Sequence, residues 1–218
     1  MKKSIKFILL GSVLAVVAAA VVLLFIFKDS LFNVPAKESY TFINPDPARA
    51  ETDAGMKIDG VFDEAVYSQN TWTYLHNANG GNTVDIAITS YFGEKGIYFA
   101  YEVRESTPIY VNMARASWMN SCIEMYLVPS SVEKMPSENI FEIDLLPTGY
   151  LLFKRPNAAG GWSDVSTTHD KMAYLGAKPF GGEVNTDECT GYDLELFIPY
   201  DYLDVLGVDA QLVKDGSC

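Results

Sequence analysis

With 218 residues, 49% apolar and 13% aromatic, the chain has room and core material for one domain of ordinary size, which excludes global disorder. Its formal charge of −12 opposes contact with nucleic acid phosphates or anionic lipid, so neither is an expected partner. Three cysteines, Cys122, Cys189 and Cys218, have no CxxC or Cys/His spacing and offer no zinc site. In an oxidising compartment Cys122 and Cys189 either pair or stay as two thiols.

The first segment stands apart. Lys2, Lys3 and Lys6 precede an uncharged run of 21 residues, Phe7 to Phe27. A helix of that length spans roughly 31 Å, enough for the hydrocarbon core of a bilayer. Lys28 and Asp29 cancel on the far side, so the charge asymmetry places the N-terminus in the cytoplasm and the rest outside. Residues 1–30 are therefore expected to be an uncleaved signal anchor. The competing expectation, a cleaved signal peptide, fits less well: Ala18, Ala19 and Ala20 lie mid-run with seven apolar residues after them. Beyond residue 30 the chain holds 12 basic and 27 acidic side chains, a net charge of −15, an acidic extracellular surface held at the membrane.

Residues 31–54, with Pro35, Pro45 and Pro47 and no sustained periodicity, are expected to form a linker. From residue 55 the pattern is that of an antiparallel β protein. Thr83 to Tyr91 alternates and is rich in β-branched residues, Gly93-Glu94-Lys95-Gly96 turns the chain, and Ile97 to Val103 returns it. Further strands are predicted at about 109–114, 121–128, 138–145, 148–154, 171–176 and 190–198, with an apparent strand at Trp72 and Tyr74 that places Trp72 in the core. Helical turns are predicted only at Asp63–Ser68 and Tyr200–Leu206. Such spacing predicts an all-β fold, an antiparallel two-sheet sandwich over 55–218, preceded by one transmembrane helix. Because nothing after Asp215-Gly216-Ser217-Cys218 pairs back onto a sheet, the sandwich is expected to lack its last strands.

Catalysis finds no motif. His76 and His169, the two histidines, sit in polar, loop-like contexts, and GxSxG, HExxH and GxGxxG are absent. Four landmarks stand out instead, in order along the domain: Lys57-Ile58-Asp59-Gly60-Val61-Phe62-Asp63-Glu64-Ala65, the strand Gly96 to Glu105, Trp118-Met119-Asn120-Ser121-Cys122-Ile123-Glu124-Met125-Tyr126-Leu127, and Gly191-Tyr192-Asp193-Leu194-Glu195-Leu196-Phe197-Ile198-Pro199. Together they resemble the family 9 carbohydrate-binding modules, which belong to the DOMON-like β-sandwiches, over about residues 55–205.

The resemblance implies non-catalytic binding of a glycan or polysaccharide at the cell surface. Family members grip a sugar ring between two tryptophans while polar side chains read its hydroxyls. The first of these tryptophans lies six residues before a glutamate, as Trp118 lies before Glu124, which makes Trp118 the expected stacking platform and Glu124 a hydroxyl acceptor. Three departures accompany the match. Ser121 replaces the family's aspartate, the second clamp tryptophan has no counterpart, and Phe141-Glu142-Ile143-Asp144 puts Glu142 where sugar-binding members carry an arginine. Glu142 is thus the candidate ligand residue at that position, and Trp162, after Gly160-Gly161, is expected to be exposed and available to a ligand. Members of the family bind structural calcium, for which Asp59, Asp63 and Glu64 offer hard oxygen ligands; no other cofactor is expected. Two alternatives follow from the same resemblance: an accessory module of a larger surface glycoside hydrolase, and a DOMON-type redox module holding haem through Met and His.

Overall fold

The structure, a computed structural model, describes residues 41–79, 81–128, 140–158, 160–165, 172–206 and 208–215, without the side chains of Asn79 and Trp118. The expected anchor, the first part of the expected linker, His169 and Cys218 lie outside these residues. No helix among the described residues is long and apolar enough to cross a membrane.

Nine strands form two antiparallel sheets among the described residues. The first sheet has the order β1-β2-β3-β9-β8, built from Thr73–Asn79, Asn82–Phe92, Gly96–Glu105, Gly191–Pro199 and Tyr174–Phe180. The second has the order β4-β5-β6-β7, built from Ile123–Leu127, Phe141–Leu145, Leu151–Pro156 and Trp162–Asp164. Their facing sides share one core: Tyr101 and Val103 of β3 and Leu194 and Leu196 of β9 cluster with Phe141 and Ile143 of β5 and Phe153 of β6. The predicted two-sheet β-sandwich is therefore present.

The sequences of β3 and β9 are nearly continuous apolar runs because both of their faces are buried. On the side away from the second sheet, Tyr98, Ala100 and Phe197 meet Met56, Ile58 and Tyr67 from the segment before β1. The Tyr98 and Phe197 rings stack at 4.6 Å. Trp72 packs here too, tilted 5.4 Å from Phe62, with its Nε1 donating to the Tyr67 carbonyl. Helix α1 (Ala65–Gln69) presents Tyr67 to this layer, as the predicted turn at 63–68 anticipates. Helix α2 (Tyr200–Leu206) occupies the predicted range, and α3 (Ala210–Lys214) follows it.

Three expectations change in detail. Residues 109–114 are not a strand: the Ile109 amide donates to the Cys189 carbonyl and the Val111 amide to Asn185 Oδ1, so the backbone is satisfied by a loop instead of a ladder. Within the expected linker, Ile43 is 4% exposed and bridges Leu151 in β6, so this point of the segment packs against the sandwich. Cys122 and Cys189 are both free thiols.

Candidate functional site

Strand alternation sorts the second sheet into two faces. Ile123, Met125 and Leu127 of β4, Phe141, Ile143 and Leu145 of β5, and Leu151 and Phe153 of β6 turn to the core. That leaves Glu124 and Tyr126, Glu142 and Asp144, and Lys154 on the outer face. Register then lines them up: Glu124 pairs with Asp144, Tyr126 with Glu142, Glu142 with Lys154, and Lys154 with Asp164 of β7. Three acids, Glu124, Glu142 and Asp144, bring carboxylate oxygens within 4.8 Å of one another.

The Lys154 ammonium sits among them. It pairs with Glu142 Oε1 and lies 2.8 Å from Asp144 Oδ2, and the Ser117 hydroxyl also donates to Asp144 Oδ2. Glu142, Asp144 and Lys154 are 3%, 0% and 2% exposed, so this is an ion cluster out of water. Burial by itself lowers the Lys154 pKa, but hydrogen bonds and charge from Asp144 and Glu142 outweigh it and hold the ammonium above its ordinary value. Burial raises Glu142, against the pull of Lys154. Asp144 Oδ1 is buried with no hydrogen-bond partner, while Glu124 is exposed at the rim. A metal ion shared by these three acids would have to displace the ammonium, which already supplies the positive charge.

Two aromatic rings frame the cluster. Tyr126 stands on β4 and Trp162 on β7, the two opposite edges of the sheet, yet their ring centroids are 6.0 Å apart. To meet from opposite edges both side chains lean inward over β5 and β6, and they remain 44% and 36% exposed. Burial, then the charges of Glu142 and Glu124, push the Tyr126 phenol up to about 12, so its hydroxyl stays a neutral donor. Cys122 is likewise pushed up to about 12, by burial and then by Asp144 and Glu124, and its thiol donates to the Ser117 carbonyl. A thiol held protonated is a poor nucleophile.

Of the residues singled out in the sequence, Glu124, Glu142 and Trp162 come together on this face. Trp118 lies in the short turn Ser117–Met119 that delivers Ser117 to the cluster, and its side chain is outside the described residues. Asp59, Asp63 and Glu64 do not form a three-acid group of this kind. Asp59 Oδ1 accepts from the Val61 amide, Asp63 is exposed, and Glu64 turns inward, its Oε1 accepting from the Lys57 amide. His76 is exposed on β1 and bonded to Asp85 at 2.6 Å. Tyr126, Asp144, Lys154 and Ser117 were not anticipated, although Tyr126 and Asp144 stand at i+2 from Glu124 and Glu142, where the same face must recur. A cavity of about 830 Å³ lies elsewhere, between residues 44–59, the β5–β6 turn and β8, and no aromatic side chain lines it.

The class of protein defined so far is an antiparallel β-sandwich with an aromatic and acidic outer face. No protein-family model matches the chain, and no curated protein matches it. A solved structure does match: a protein of Bacteroides uniformis ATCC 8492 provisionally described as carbohydrate-binding, at 16% identity and a TM-score of 0.39. The match covers 61% of this chain and 61% of that one, a likeness too distant to carry family or function.

Proposed function

We propose that this chain is a non-catalytic carbohydrate-binding module of the family 9, DOMON-like kind, displayed outside the cytoplasm by an N-terminal anchor. The observation that carries the reading is the exposed Tyr126–Trp162 ring pair on the same sheet face as the Glu142–Asp144–Lys154 cluster, with Glu124 exposed beside it. A pyranose ring has an apolar face of axial C–H groups that suits an aromatic surface, and a rim of hydroxyls that needs both acceptors and donors. Glu124, exposed at the rim, supplies an acceptor and the Tyr126 hydroxyl a donor, while the buried Glu142–Asp144–Lys154 cluster holds the strands that carry them. Family members place a cation where this chain has Glu142. Its ladder partner Lys154 brings a cation to the neighbouring position on β6, which supports the same use of the face.

The test is a titration of the full chain with soluble oligosaccharides, followed by tryptophan fluorescence and by retardation in polysaccharide gels. The proposal expects saturable quenching by at least one glycan, reduced tenfold or more by Trp162→Ala and by Tyr126→Ala. Absence of binding across a broad panel of neutral, acidic and amino sugars would sink it. Protease accessibility of the domain on intact cells, compared with a chain lacking residues 1–30, tests the anchored arrangement.

A further inference from the structure

We infer that the sugar taken by this face carries a free ammonium group: an amino sugar, bound in preference to its neutral or acidic counterparts. The inference rests on the carbohydrate reading above and concerns the charge of the same site. Three carboxylates, Glu124, Glu142 and Asp144, meet one ammonium, Lys154. Lys154 and Ser117 bind the two buried acids, and Asp144, 0% exposed, is out of a ligand's reach. Glu124 is exposed, has no ion-pair partner among the described residues, and is the acceptor left to solvent. A charged donor answers an ionised carboxylate better than a neutral hydroxyl does.

The aromatic pair points the same way. The faces of Tyr126 and Trp162 attract a cation as well as the C–H face of a sugar ring. An acidic sugar meets the opposite conditions. A uronate would be brought beside Glu124 on a chain whose residues beyond position 30 carry a net charge of −15, and both near and far fields repel it. De-N-acetylation of a hexosamine changes the acetamide to an ammonium and leaves the ring and its hydroxyls in place, so this one substitution isolates the charge.

The experiment is calorimetric titration of the full chain, in detergent at low salt and pH 6, with three oligosaccharide series. Glucosamine oligomers, their N-acetylated forms and oligogalacturonates supply cationic, neutral and acidic sugars. We expect the ammonium form to bind about fivefold more tightly than the N-acetylated form, the size of one partly exposed ion pair. The ratio should shrink as salt is raised and approach one in Glu124→Gln, a substitution at an exposed position that does not threaten folding. Equal binding of cationic and neutral forms, tighter binding of the acidic form, or a ratio untouched by Glu124→Gln would each overturn the inference while leaving the carbohydrate reading standing. If no oligosaccharide of any series binds, the reading itself fails and the inference with it.

Discussion

The outer faces of the two sheets use the same raw material differently. Each central region buries carboxylates on the side away from the shared core: Glu195 on β9 in the first sheet, Glu142 and Asp144 on β5 in the second. On the first sheet the chain's own segment before β1 folds over the face. Glu195 Oε2 accepts from the amides of Asp59, at 2.9 Å, and Gly60, at 2.7 Å, fixing the Ile58-Asp59-Gly60 turn against β8. Gly176 of β8 has no room for a Cβ there, since the Asp59 nitrogen and the Ile58 carbonyl carbon would each lie 2.6 Å from it. On the second sheet a lysine answers the carboxylates, and two rings and Glu124 stay open to solvent. A buried acid closed over by its own backbone is a structural tie; the second face ties its buried acids to Lys154 and leaves Glu124 and two rings to solvent.

The comparison breaks most severely at Lys154. Lys154→Met leaves Glu142 and Asp144 buried without a countercharge, and chemical denaturation should show a loss of about 3–5 kcal/mol. Adding Glu142→Gln and Asp144→Asn to that variant should recover a large part of the loss, which distinguishes a charge effect from lost packing.

Glu195→Ala comes next. It strips the acceptor from the Asp59 and Gly60 amides and should cost about 2–3 kcal/mol. The pH profile gives a finer test. Burial, with added repulsion from Glu64, raises Glu195 from 4.5 to about 7 in the folded state, against the pull of the two amides. A carboxyl raised on folding contributes stability that is fully present below its unfolded value and is lost as pH rises through the folded one. The stability difference between the native chain and Glu195→Gln should therefore shift against the native chain between about pH 4.5 and 7. A difference that stays flat across this window would show that Glu195 is not held protonated.

Smaller effects on stability, with larger ones on binding, separate the second face from the first. Trp162→Ala and Tyr126→Ala remove half-exposed rings and should cost no more than about 1 kcal/mol, while the proposed glycan binding should fall at least tenfold. At the bottom of the scale, His76→Ala breaks an exposed pair with Asp85 on β1 and should change stability by no more than about 0.5 kcal/mol.

Much of the frame was readable because its cause is local. The β2–β3 hairpin follows from alternation on both sides of Gly93-Glu94-Lys95-Gly96, and α2 occupies its predicted range after Pro199. Residues 109–114 misled because Ile109, Tyr110 and Val111 have strand propensity, whereas the Ile109 and Val111 amides turn to Cys189 and Asn185, more than seventy residues away. Strand β7 has only three residues, Trp162–Asp164, too few to show a period, and exists as a strand because β6 pairs with it. Glu124, Glu142 and Trp162 were found as single positions, one by the glutamate spacing of the resemblance, one by its arginine position and one by its glycine-rich loop.

Which side chains of β4, β5 and β6 share a face follows from residue order alone, because a strand repeats every two residues whatever surrounds it. The sequence also sets the charge that any partner of residues 31–218 must meet. Long-range contacts set the rest: Glu142 is answered by Lys154, Tyr126 and Trp162 meet across four strands, and Glu64 turns in towards Tyr67 and Glu195. Register between strands and the closing of one segment over another depend on contacts such as that of Glu195 with Gly60, 135 residues apart, and no local pattern specifies a partner at that distance.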